Sequence, residues 1–107
     1  YTFGKISNQT IIDVAERCPN LEVLNISNTN HSITDDALVV VARRCRRLRD
    51  LNVAYCLGDI SDRGMGEVAK YCKNLKVVSI SGSEGKITKE CVTELEKNCR
   101  HVKIISV

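Results

Sequence analysis

CRRLRDLNVAYCLGDISDRGMGEVAKY, residues 45–71, is one tick of a clock that runs through the whole chain. Its Cys45 recurs as Cys18, Cys72 and Cys99, each 27 residues from the next. Its Ile60 recurs as Ile6, Ile33 and Ile87, and its Leu48 as Leu21, Leu75 and Val102. A fixed period between about 20 and 50 residues is the signature of a solenoid, in which one supersecondary unit stacks on its own copies. Within the unit, Leu51 and Val53 stand two apart, the strand period. Ile60, Met65, Val68, Ala69 and Cys72 are spaced as the apolar stripe of a helix. Each unit therefore reads as short strand, turn, helix, turn. One strand per unit makes the strands parallel, with the helices outside them.

The other copies agree. Leu21, Leu24 and Ile26 precede Ile33, Leu38, Val41 and Ala42; Leu75, Val78 and Ile80 precede Ile87, Val92 and Leu95. The chain reads as a single domain with a half-repeat at 1–17, repeats at 18–44, 45–71 and 72–98, and a half-repeat at 99–107. Val102, Ile105 and Val107 are expected in the last strand. The first residue is Tyr1 rather than Met, which reads as a processed chain or a piece of a longer protein. Ser7, Thr34, Ser61 and Thr88 follow the isoleucine column. A hydroxyl there caps a helix by accepting an orphan backbone N–H.

Composition bounds the rest. The 107 residues hold no Trp and one Phe, so the core is built from repeated aliphatics. A net charge of +3 neither demands nor excludes an anionic partner. No run of 18 apolar residues exists to span a membrane. The six cysteines do not read as a disulfide scaffold, because four of them hold one place in successive repeats. They are expected as small buried hydrophobes with reduced thiols, which fits cytoplasm or nucleus. No Cys-x-x-Cys pair occurs, so zinc is not expected.

Catalytic chemistry has no foothold. Gly82, Gly85 and the Gly64/Gly66 pair lack the motif of a phosphate-cradling loop. His31 and His101 have no nucleophile at motif spacing, and Cys56 and Cys91 have no local base. The chain is expected to be no enzyme and to hold no cofactor and no metal.

Leu-x-x-Leu-Asn-Ile/Val, then Ile-Thr/Ser-Asp and a cysteine closing the helix, resembles the cysteine-containing subtype of leucine-rich repeat. The matching residues are Leu21, Leu24, Asn25, Ile26, Ile33, Thr34, Asp35 and Cys45, then Leu48, Leu51, Asn52, Val53, Cys56, Ile60, Ser61, Asp62 and Cys72. The third copy departs, with Val78-Ser79 for Leu-Asn and Lys89 for the aspartate. The resemblance implies an α/β leucine-rich-repeat solenoid, a right-handed βα superhelix with strands on the concave face and helices on the convex face. It is similar to the repeat domains of F-box/leucine-rich-repeat proteins and of antagonist-of-mitotic-exit-network proteins. In the former, such repeats hold a substrate for ubiquitination while a separate F-box binds a Skp-type adaptor and cullin. No F-box-like segment lies in these residues, so that docking part is expected elsewhere if the likeness holds.

Two surfaces are candidates for a protein partner. The concave face carries the rows Val23, Asp50, Val77 and Ile104, then Asn25, Asn52, Ser79 and Ser106, then Ser27, Ala54 and Ser81. Tyr55 follows directly, and aromatic residues are favoured interface anchors. Of these, Val23, Asn25, Asp50, Asn52, Tyr55, Val77 and Ser79 are the expected contacts, although the asparagines could equally serve neighbouring backbone. The second surface is a basic edge: Arg43, Lys70 and Lys97; Arg46, Lys73 and Arg100; Arg49, Lys76 and Lys103. The first half-repeat breaks it with Glu16, Pro19 and Glu22. Cations at helix C-termini complement the macrodipole, as Asp35, Asp36, Asp62 and Glu90 do at the N-termini. The same edge could instead meet nucleic acid or phosphate. Val40 stands where other repeats place Asp13, Glu67 and Glu94, and is expected at the surface. The chain is thus expected to be a protein-interaction module, most specifically the substrate-recognition repeats of an F-box-type ubiquitin ligase subunit. The alternatives are a stand-alone repeat scaffold or a basic-edge binder of nucleic acid or phosphate.

Overall fold

The computed structural model describes residues 7–29, 32–56, 59–83 and 86–106. Expectations for Ile6, His31, Gly85 and Val107 lie outside them. Among the described residues, four helices, α1 (Asn8–Arg17), α2 (Asp35–Arg44), α3 (Asp62–Tyr71) and α4 (Lys89–Asn98), alternate with four strands, β1 (Val23–Asn25), β2 (Asp50–Asn52), β3 (Val77–Ser79) and β4 (Lys103–Ile105). The strands form one parallel sheet in the order β1-β2-β3-β4, so each repeat touches only its neighbours. This is the solenoid that the period implies, in the leucine-rich-repeat form that the resemblance implies. Leu24, Leu51 and Val78 point inward from the sheet and meet Val41, Val68 and Leu95 from the helices in one continuous core.

The helices start where the hydroxyls stand. Ser7 Oγ accepts from the Thr10 N–H, Thr34 Oγ1 from Asp36, and Thr88 Oγ1 from Cys91. Ser61 caps nothing with its side chain. Its hydroxyl donates instead to the Asp35 carboxylate, which also accepts the Ser61 backbone N–H at 2.9 Å. The same bond pair repeats one unit on: Asp62 accepts from the Thr88 N–H at 2.8 Å and from Thr88 Oγ1 at 2.6 Å. One unit back, Asn8 accepts the Thr34 N–H at 2.9 Å and donates to Thr34 Oγ1 at 2.8 Å. The first helical residue of each repeat therefore grips the cap of the next. Gly64 admits this approach, because a Cβ there would collide with the Asp35 carboxylate. Lys89 takes the fourth place in the column and carries no carboxylate.

A second ladder joins the other ends of the helices. Cys45 Sγ lies 3.5 Å from the Cys18 carbonyl and 3.7 Å from that of Ala15. Cys72 Sγ repeats this on Cys45 and Ala42, and Cys99 Sγ reaches the Cys72 carbonyl at 3.3 Å. The last carbonyls of a helix have no partner within it. Here the next repeat's thiol supplies a weak donor on an otherwise apolar body.

Four expectations are corrected. Cys18 is exposed, since among the described residues no earlier helix lies over it, whereas the other five thiols are buried. Ser27, Ala54 and Ser81 do not face out of the sheet but are each 6 % exposed. The chain turns at those residues, so strand alternation has already ended. β4 departs from the clock by one residue: Lys103, not Ile104, pairs with Val77, and Ile105, not Ser106, pairs with Ser79. Lys103-Ile104-Ile105 is apolar at both parities, so hydrophobic alternation does not pin its register. Val40 is half-buried against the core, because α2 lies between α1 and α3.

Two measurements test these ladders. Burial raises the Asp62 pKa, but hydrogen bonds from Thr88 Oγ1, the Thr88 N–H and Cys91 outweigh it and hold the carboxyl below its ordinary 3.8. A carboxyl lowered by folding contributes stability that is complete above its unfolded pKa and is lost as pH falls through the folded value. Asp62→Ala is expected to cost about 1–2 kcal/mol in denaturant unfolding at neutral pH, while exposed Asp36→Ala stays within about 0.5. The deficit of Asp62→Ala against wild type should shrink as the solution is acidified through the carboxylate range; a constant deficit would show that the charge is not what matters.

Burial also pushes up the thiols of Cys45, Cys56 and Cys99, and those of Cys72 and Cys91 to about 12. A thiol-reactive dye at neutral pH is expected to label one of the six cysteines quickly, Cys18, and the other five only after unfolding. Rapid labelling of a second cysteine would mean that the stack opens.

Candidate functional site

The sheet presents two rows to the concave face. Val23, Asp50 and Val77 are paired side by side, as are Asn25, Asn52 and Ser79. Val23 is 52 % exposed, and the other five are half-buried. The asparagines are partly committed. Asn25 Oδ1 accepts the Ser27 N–H at 2.9 Å and Ser27 Oγ at 2.6 Å, and Asn52 Oδ1 accepts the Ala54 N–H at 3.0 Å. These Asx turns fold the chain out of the strand. Among the described residues, neither Nδ2 makes a protein hydrogen bond.

Tyr55 stands at the end of these rows under strain. Its φ is +58°, in the left-handed region that a bulky side chain rarely occupies. It belongs to a column: Asn28 has φ +60° and Gly82 φ +76°. The conformation follows from the stack. The Asn28 N–H donates to the Ala54 carbonyl at 2.9 Å and the Tyr55 N–H to that of Ser81 at 2.8 Å, so sheet pairing extends one step into the turn. Asn and Gly tolerate this backbone; Tyr does so at a cost of about 1–3 kcal/mol. Its ring lies over Gly82, where a Cβ would clash with it. Tyr55 is nonetheless 48 % exposed. Here a strained residue holds an aromatic group in the open. Gly82 was not among the expected site residues, yet Asn28 and Gly82 flank Tyr55 at the repeat distance and both favour positive φ.

The basic-edge residues Arg43, Arg46, Arg49, Lys70, Lys73 and Lys76 are all exposed, but they are not equivalent. Arg43 pairs with Glu67 and Arg49 with Glu22, each at 2.8 Å across a repeat boundary. Arg46 and Lys70 lie over the Tyr71 ring, at 4.9 and 5.2 Å from its centre. Lys73 and Lys76 line a groove of about 450 Å³ across three successive turns, together with Arg47 and Arg100. Among the described residues, no three His, Cys, Asp or Glu side chains converge as metal ligands. No described helix is long and apolar enough to cross a membrane.

No protein-family model and no curated protein matches this chain. Among solved structures it is similar to a tropomodulin C-terminal domain of Caenorhabditis elegans, with a TM-score of 0.62 at 17 % identity. The match covers 94 % of this chain and 62 % of that one, so this chain spans less than two thirds of its neighbour. At that identity the likeness is one of fold.

The strain at Tyr55 has a measurable signature. Tyr55→Asn, which copies Asn28, is expected to raise the unfolding free energy by about 1 kcal/mol. Gly82→Ala should lower it by about 1–3 kcal/mol, since it adds left-handed strain and displaces the ring. A Tyr55→Asn protein less stable than wild type would show that the ring is there for packing.

Proposed function

We propose that this chain is a non-enzymatic protein-binding module whose concave strand face takes the partner, with Tyr55 as anchor. The observation that carries this is an exposed aromatic ring kept in a costly backbone conformation beside a row of half-buried polar and apolar side chains. Strain of this kind persists where the surroundings over-determine it, and it gathers at functional positions. A rigid aromatic with few rotatable bonds loses little entropy on docking, which is why such residues dominate interface energetics. Val23 and Val77 add apolar area on one row, and Asn25, Asn52 and Ser79 add hydrogen-bonding groups on the other.

Within that reading the finer assignment is substrate recognition for an F-box-type ubiquitin ligase in cytoplasm or nucleus. It rests on the sequence resemblance. Its own test is whether a Skp-type adaptor and a cullin co-purify with the protein from the cells that make it; their absence beside other enriched partners sinks the ligase assignment alone.

The broader reading is tested by affinity capture with the immobilised chain. Proteins retained by wild type and lost by folded Tyr55→Asn are the expected result, with a tenfold or greater drop in affinity for an identified partner, about 1.4 kcal/mol or more. Equal capture by both would move the contact off Tyr55.

A further inference from the structure

We infer that the groove across the turns leading into β2, β3 and β4 is a docking site for an acidic peptide segment of the partner. This rests on the protein-binding reading above and adds a second surface to it.

The turns that join helix to strand stack on one another, and their side chains repeat with the clock. After α1 the turn is Pro19-Asn20; after α2 it is Arg46-Arg47; after α3, Lys73-Asn74; after α4, Arg100-His101. The groove begins where the cations begin. Arg47, Lys73, Lys76 and Arg100 line it without an ion pair among the described residues, and no carboxylate lines it with them. Four like charges along one small cleft repel one another and raise the local concentration of anions. Compensation from helix C-termini accounts for a cation at each turn. It does not by itself account for four cations side by side without an ion pair, when Arg43 and Arg49 each hold a glutamate across a repeat boundary.

The lining also says which anion. Leu75 lies beneath it, 2 % exposed, and Asn74 and Asn98 stand at its sides, where the Asn98 amide donates to Glu94 at 3.4 Å and Asn74 is exposed. An extended peptide offers side-chain carboxylates for the cations and backbone groups for the Asn74 amide. Arg49, which also lines it, already holds the Glu22 carboxylate through Nε at 2.8 Å. A polyphosphate strand fits less well. Its charge is denser than four cations neutralise, Glu22 lies at the rim, and the net charge of the chain is only +3. The described aromatic nearest the edge, Tyr71, is half-buried beneath Arg46 and Lys70 and offers no open face for stacking a base.

The test is fluorescence anisotropy of the full chain with a short labelled peptide of glutamates interspersed with leucines. Wild type is expected to bind it more weakly as salt rises. The triple variant Arg47→Glu, Lys73→Glu, Arg100→Glu should lose about tenfold or more in affinity. The neutral triple Arg47→Gln, Lys73→Gln, Arg100→Gln, checked for an unchanged melting midpoint, should lose most of it as well. Arg17→Glu, Lys86→Glu, Lys89→Glu changes the net charge equally away from the groove and should bind as wild type does. Equal loss in that control would reduce the effect to bulk charge and overturn the assignment. So would a wild type that binds a glutamine version of the peptide as well, or single-stranded DNA more tightly than the acidic peptide. The two readings separate cleanly: peptide binding lost in the groove triples while Tyr55-dependent capture persists supports both. Peptide binding indifferent to the triples with Tyr55-dependent capture intact overturns the groove alone.

Discussion

A ten-residue helix is too short to hold itself in water, and a three-residue strand has no stability of its own. Each repeat here consists of one of each, so its polar termini must be closed by its neighbour. The Asp35–Ser61 and Asp62–Thr88 contacts meet that need at the helix start, with a cap residue's backbone N–H and its hydroxyl both satisfied by one carboxylate. The reverse bond is also made: the Asp35 N–H donates to the Asp59 carbonyl and the Asp62 N–H to that of Lys86, each at 3.2 Å. Each carboxylate therefore joins two repeats, which couples the stack as nearest neighbours.

The cysteine column closes the opposite helix ends by different chemistry. A buried serine there would place a shorter, more strongly hydrated donor against the same carbonyls, and an alanine would offer none. Sulfur reaches 3.3–3.7 Å to a carbonyl while keeping apolar contact with the core. The burial that makes this arrangement stabilising also disfavours the thiolate, so the packing and the chemical quiet of Cys45, Cys72 and Cys99 have one cause. Cys18 has the sequence position without the covering repeat, and it alone is exposed.

Period is what made the fold legible. Leu24, Leu51 and Val78 declared the inward row, and the hydroxyl after each column isoleucine declared the helix starts. What stayed hidden depends on partners about one repeat away. Asp35 and Asp62 read as dipole compensation, because a sequence position shows a helix terminus but not the serine or threonine 26 residues on. Likewise Arg43 and Lys73 are alike in sequence, whereas in the fold Glu67 pairs with the first and not with the second. β4 was misplaced because Ile104 and Ile105 satisfy either parity, and Ser27 because an Asx turn had already ended the strand. The candidate rows were readable from strand alternation, whereas the strain at Tyr55 was masked by its own side chain. Only Asn28 and Gly82 on either side carry the positive-φ signal.

The two surfaces meet on one partner's scale. Arg49 and Lys76 immediately precede β2 and β3, and Tyr55 lies just beyond β2. Six residues of extended chain span about 20 Å at most, so groove and aromatic anchor fall within a single ordinary interface. Their physics differs in a complementary way. Exposed cations act at long range, steer encounter and weaken with salt. A held aromatic ring acts only on contact and slows dissociation. Asp50 and Asn52 lie between Arg49 and Tyr55 on β2. A partner that approaches by its acidic segment would therefore be delivered across the strand rows to the ring that Gly82 leaves room for. That path would give the strain at Tyr55 a use in binding, separate from the contact its ring makes with Gly82.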